Sequence, residues 1–149
     1  MGVRDLTNLF IIHTEIAKLN KLNDWNFNFR VDSGNLDTVI QIEDDGTWHS
    51  PRKESKGKIL VPDLIDYSHK LIIEFEEEAG PDKGARKIKG HFPEILNPRD
   101  EERDTYYKLI KFDLMKIWKS DLKRGMWKQI LLLWLQLHCT NMNYTKIPN

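Results

Sequence analysis

Residues 58–76 place two short apolar runs on either side of a turn, and both runs lead into acids. The run at 58–61 enters Pro62-Asp63, and the run at 71–73 ends in Glu74 and Glu76. Side chains two apart on a strand share a face, so Glu74 and Glu76 point the same way if 71–76 is extended. A neighbouring strand then brings Asp63 beside them. Carboxylates gathered in this way repel one another unless something positive sits among them, and hard divalent cations take oxygen ligands. The cluster therefore predicts a cation, Mg2+ or Mn2+. The plainer alternative is that Asp63 opens a turn after Pro62 and that residues 74–78 form a solvated acidic strand end.

The flanking sequence supplies a scaffold for such a strand pair. Leu9, Ile12, Ile16 and Leu19 have the spacing of a helix over 7–22 with one buried face, and Glu15 lies close to that face. Residues 25–31 alternate Trp25, Phe27, Phe29 and Val31 with Asn26, Asn28 and Arg30, the pattern of a half-buried strand, before Ser33-Gly34-Asn35 breaks it. A short strand at 38–42 and the turn residues Asp44-Asp45-Gly46 predict a hairpin onto 47–49. Residues 50–57 read as a polar loop, and 58–64 and 71–76 as strands joined through 66–70. Three glycines and three prolines within 80–100 mark a long irregular insertion.

Downstream, 100–110 is helical with Asp100 as its N-cap, 114–118 is a strand, and 126–138 is a strongly apolar helix that is either fully buried or partly an association surface. This order predicts one α/β domain over 1–149, a sandwich in which helices flank a central mixed sheet.

Charge and cysteine content narrow the function classes. The 23 basic and 23 acidic residues balance, which argues against a coat of positive charge for indiscriminate polyanion binding. Cys139 is the only cysteine, so this chain by itself forms no internal disulfide and no cysteine-rich zinc site. The apolar stretch 130–137 is far shorter than the roughly 20 residues that cross a bilayer. The expectation is an intracellular, cytoplasmic protein without a membrane segment, with a homodimer as one arrangement open to it.

Pro62-Asp63 followed by a short hairpin and Glu74-Phe75-Glu76 resembles the PD-(D/E)XK nuclease superfamily. A second match follows in the same order. Glu102-Arg103-Asp104-Thr105-Tyr106-Tyr107-Lys108-Leu109, then Phe112 to Leu114 and Ile117-Trp118, look like the Arg-Asp helix and following strand of the very short patch repair endonuclease branch. Together the matches cover roughly 58–122. The resemblance implies a restriction-endonuclease-like sandwich with the 114–118 strand central, and a metal-dependent DNA endonuclease of restriction, repair or homing type. It implies Asp63 and Glu74 as metal ligands, joined by Glu15 from the first helix, and it suggests that Arg103 and Asp104 brace the site.

The last motif position is usually lysine in that superfamily, and here it is Glu76. A carboxylate cannot supply the positive charge that would orient an attacking water and steady the scissile phosphate. Either Glu76 serves as a further ligand or general base while a histidine after the strand shares the lysine's role, or the domain binds nucleic acid or a protein partner without cutting. His91 is the histidine in that place. Lys83, Arg86, Lys87 and Lys89 precede it and would neutralise the DNA backbone rather than read bases.

Overall fold

The computed structural model describes residues 6–77 and 98–146, with side chains described through Cys139 and from Asp100 onward in the second segment. Helix α1 (Leu6–Asn23) buries Leu9, Ile12, Ile16 and Leu19, as the sequence spacing predicts. Asn20 ties the outgoing chain to this helix: its amide donates to the Phe27 carbonyl at 2.8 Å, and its side-chain oxygen accepts the Phe27 N–H at 3.1 Å. The alternation over 25–31 holds in burial, with Phe27 and Phe29 inside and Asn26, Asn28 and Arg30 outside. Only β1 (Arg30–Val31) pairs in a ladder; the Asn28 N–H donates to the Asp66 carboxylate at 2.8 Å instead.

Two sheets follow. Strands β2 (Ile40–Ile42), β3 (Trp48–His49) and β4 (Lys58–Leu60) form a small antiparallel sheet in the order β3-β2-β4. The predicted turn closes its first hairpin, with Gly46 at φ +89°, a conformation glycine adopts without a Cβ penalty. Gly57 is required for a different reason, since a Cβ there would lie 2.7 Å from the Ile42 carbonyl oxygen. The larger sheet has the order β1-β5-β6-β7, built with β5 (Leu64–Asp66), β6 (Leu71–Glu76) and β7 (Asp113–Trp118). It is mixed: β1, β5 and β6 are antiparallel neighbours, and β6 and β7 are parallel.

Side-chain alternation divides the core into two layers of contact. Leu64, Leu71, Ile73, Met115 and Ile117 face α1 and the last helix, α4 (Met126–Lys146), which contributes Trp127, Leu131 and Leu135. On the opposite face, Ile65 and Ile72 meet Ile40 and Ile42 of the small sheet and Tyr107 of helix α2 (Pro98–Leu109). A short helix, α3 (Lys119–Leu122), connects β7 to α4. Helices thus cover one face, and a helix with a small sheet covers the other, so the mixed sheet sits in the middle.

Several expectations need correction. The single strand expected over 58–64 is divided at Val61-Pro62-Asp63, and its halves belong to different sheets, because Pro62 has no N–H for a ladder. Strand β7 lies at an edge of the described sheet, with β6 internal to it. Helix α2 begins at Pro98, which places Asp100 in its first turn rather than at its cap. Helix α4 is neither fully buried nor fully exposed: Trp127, Leu131, Leu135 and Cys139 form its inner face, while Met126, Ile130, Leu133 and Leu137 stay exposed. Of the irregular insertion predicted over 80–100, residues 80–97 lie outside the described residues and 98–100 belong to α2. No described helix is long and apolar enough to cross a membrane.

Candidate functional site

The acids meet because of strand register. Leu64 pairs with Ile73, so Asp63, one residue before β5, stands next to Glu74 on the face that looks toward α2. The Asp63 carboxylate accepts the Phe75 N–H at 2.8 Å. Both carboxyls have raised pKa values, so each resists ionisation beside the other. Burial is the main cause: Glu74 is 4% exposed, and desolvation followed by the neighbouring Asp63 charge pushes its pKa well above the ordinary carboxylate range. Desolvation also raises Asp63, against the opposing pull of the Phe75 N–H.

Helix α2 brings its own polar face to this pair. Asp100, Arg103, Asp104 and Tyr107 fall at positions i, i+3, i+4 and i+7, which project from one side of a helix. The Tyr107 hydroxyl donates to Glu74 Oε2 at 2.7 Å. The Arg103 guanidinium lies 3.6 Å from Glu74, 2.8 Å from Glu76, 3.0 Å from Asp104 and 3.7 Å from Asp100. Burial works against its charge, but the surrounding carboxylates more than offset that and keep it cationic. Tyr107 is held neutral by burial and by the Glu74 charge.

A second cation comes from the parallel strand. Lys116 stands opposite Glu74 in the β6–β7 register, and its ammonium lies 2.7 Å from Asp104 and 3.9 Å from Glu76. Among the described residues, Asp63, Glu74, Glu76, Asp100 and Asp104 thus surround Arg103 and Lys116, and the excess is negative. A proton on Glu74 relieves part of it. A divalent cation replacing that proton would relieve more, and Mg2+ is commonly held by one or two protein carboxylates with waters and substrate phosphate completing its shell. The paired carboxyls fit that donor set.

The expected residues separate into three groups. Asp63, Glu74 and Glu76 come together; Arg103 contacts Glu74 and Glu76, while Asp104 pairs with the neighbouring Arg103 and with Lys116 rather than with the three acids. Glu15 does not join: α1 packs on the other face of the sheet, and Glu15 lies 3.9 Å from Lys128 of α4. Among the described residues, no three His, Cys, Asp or Glu side chains are grouped to hold a metal, so the expected set of Asp63, Glu74 and Glu15 is not assembled. His91, Lys83, Arg86, Lys87 and Lys89 lie outside the described residues.

The other histidines have structural partners. His69 caps the β5–β6 turn through Asp66 at 2.8 Å, His13 bonds the Phe29 carbonyl at 3.0 Å, and His138 contacts Asp113 at 2.6 Å. His49 contacts Glu43 at 2.6 Å. Sequence reading missed Tyr107 and Lys116 as site residues. The four-residue step from Arg103 to Tyr107 could have found the first; the second depends on a register that only pairing sets. No protein-family model, no curated protein and no solved structure matches this chain.

Proposed function

We propose that this chain is a metal-dependent endonuclease of the PD-(D/E)XK kind, built on a restriction-endonuclease-like sandwich and acting on DNA by phosphodiester hydrolysis. The observation that carries this reading is the Asp63–Glu74 pair, two carboxyls that strand register sets side by side, with Glu74 buried and Arg103 and Glu76 next to it. Mg2+ or Mn2+ bound there would supply a Lewis acid for the phosphate and lower the pKa of a bound water. The residues of the chain do the rest. Asp63 and Glu74 bind the ion, the Phe75 N–H and Tyr107 hydroxyl fix their carboxyls, and Arg103 links Glu74 to Glu76.

In this reading Lys116 stands in for the missing motif lysine. It reaches the rim of the acid cluster from β7 and brings there the positive charge that Glu76 cannot give, for a phosphate oxygen to approach. Arg103 favours a second reading, a nuclease-fold protein that binds without cutting, because its guanidinium already pairs with Glu74 and Glu76 and offsets part of the charge that would draw an ion.

Supercoiled DNA incubated with Mg2+ or Mn2+ separates the two. Nicking that needs the ion and disappears in a folded Asp63→Asn variant supports the endonuclease. Nicking undiminished in that variant contradicts it, and salt-sensitive binding without nicking selects the second reading.

A further inference from the structure

We infer that the face around Trp48 and Tyr67, at the opposite end of β6 from the acid pair, is a binding site for a single strand of nucleic acid. This extends the nucleic-acid reading above but requires no cleavage. Trp48 stacks on Tyr67 with ring centroids 5.7 Å apart and planes 19° apart, and the Arg30 guanidinium lies 5.7 Å over the Tyr67 ring. Trp48 also forms the wall shared by two open cavities. One, of about 420 Å³, is lined by Arg30, Asp37, Pro51 and Tyr67; the other, of about 620 Å³, is lined by Asp45, Gly46, Lys70 and Lys111. Both sizes fall in the range of small-ligand sites, about 300–1,000 Å³.

The charges fit a phosphate backbone passing the aromatic pair. Arg30, Lys70 and Lys111 are exposed, and among the described residues none of them has a carboxylate ion-pair partner. The two acids at the cavities are engaged within their own turns: Asp37 accepts the Asn35 amide at 2.9 Å, and Asp45 accepts the Thr47 hydroxyl at 2.7 Å and its N–H at 3.0 Å. Three cations around stacked aromatics suit a chain of alternating phosphates and planar bases, since a base finds a π-face and each phosphate a cation.

Trp48 and Tyr67 pack against the same core layer as Ile72 and Tyr107, so this face lies on the same side of the sheet as the acid pair, beyond the opposite end of β6.

Fluorescence anisotropy with a labelled oligothymidylate tests the inference, using the Asp63→Asn protein in EDTA so that cutting cannot intervene. The triple variant Arg30→Gln, Lys70→Gln, Lys111→Gln keeps the aliphatic stems and should lose at least about tenfold in affinity at low salt. Its log–log salt slope should be shallower by about 2, at about 0.7 per phosphate contact on a single strand. Trp48→Leu should lose on the order of tenfold, the range of one base stack. Unchanged affinity and slope in the triple variant overturn the inference, as does competition by polyglutamate equal to that by unlabelled oligothymidylate. Binding that depends on these residues in a protein that nicks no DNA would defeat the endonuclease reading while leaving this site standing.

Discussion

The Tyr107 hydroxyl donates to Glu74 Oε2 at 2.7 Å, joining α2 to the interior strand of the sheet where both residues are buried. This bond favours the charged form of Glu74 and opposes the desolvation that protonates it. Tyr107→Phe keeps the ring and removes the donor. It should cost about 1–3 kcal/mol in urea denaturation, the range for a buried group left without its partner. It should also raise the Glu74 pKa further, so that the metal ion binds only at higher pH.

The raised pKa values of Asp63 and Glu74 give stability a direction with pH. Both carboxyls have pKa values raised by folding, so the folded protein binds more protons than the unfolded chain once pH exceeds the ordinary carboxylate value. This contribution is fully present in acid and is lost as pH rises through the folded pKa values. Glu74→Gln should flatten that fall. Chemical denaturation across pH 4 to 8 measures it, and a wild-type curve no steeper than the variant's on this limb would contradict the raised pKa of Glu74.

Arg103 meets four carboxylates from a single guanidinium, a geometry that a lysine ammonium does not reproduce. Arg103→Ala should destabilise by about 3 kcal/mol, the lower end for a broken buried pair, since part of the side chain reaches solvent. Arg103→Lys should recover only part of this loss. Equal stability of the lysine variant and wild type in denaturant titrations would show that charge alone matters.

Lys116 is the residue through which the absence of the motif lysine becomes testable. Lys116→Gln should reduce kcat for DNA cleavage on the order of 100-fold, the scale of losing one donor to a developing charge, with KM and ion affinity little changed. A proportionate rise in KM with kcat preserved would place Lys116 in substrate binding instead.

Much of this arrangement can be read from local pattern. The α1 stripe, the alternation of Trp25 to Val31 and the Asp44-Asp45-Gly46 turn are set by neighbours in sequence, and so is the shared face of Glu74 and Glu76. Asp63 beside Glu74 was also legible, because a hairpin brings its strands together. What escaped depends on long-range pairing. Whether 58–64 stays in one sheet is decided by Pro62 and by the partner each half finds, and Lys116 reaches the acids only through a parallel register with β6. Glu15 misled because proximity to a buried helix face does not say which side of the sheet that face will cover.

Calorimetric titration of Mg2+ or Mn2+ into the protein, in buffers of different ionisation enthalpy, addresses the carboxyl pair most directly. The expected result is binding that tightens and releases fewer protons as pH rises through the raised carboxyl pKa values, because below them the ion must displace a proton from the pair. In Glu74→Gln, binding should weaken sharply and proton release vanish while the protein stays folded. Binding to the variant with unchanged affinity, or no binding to the wild type at all, would contradict the account.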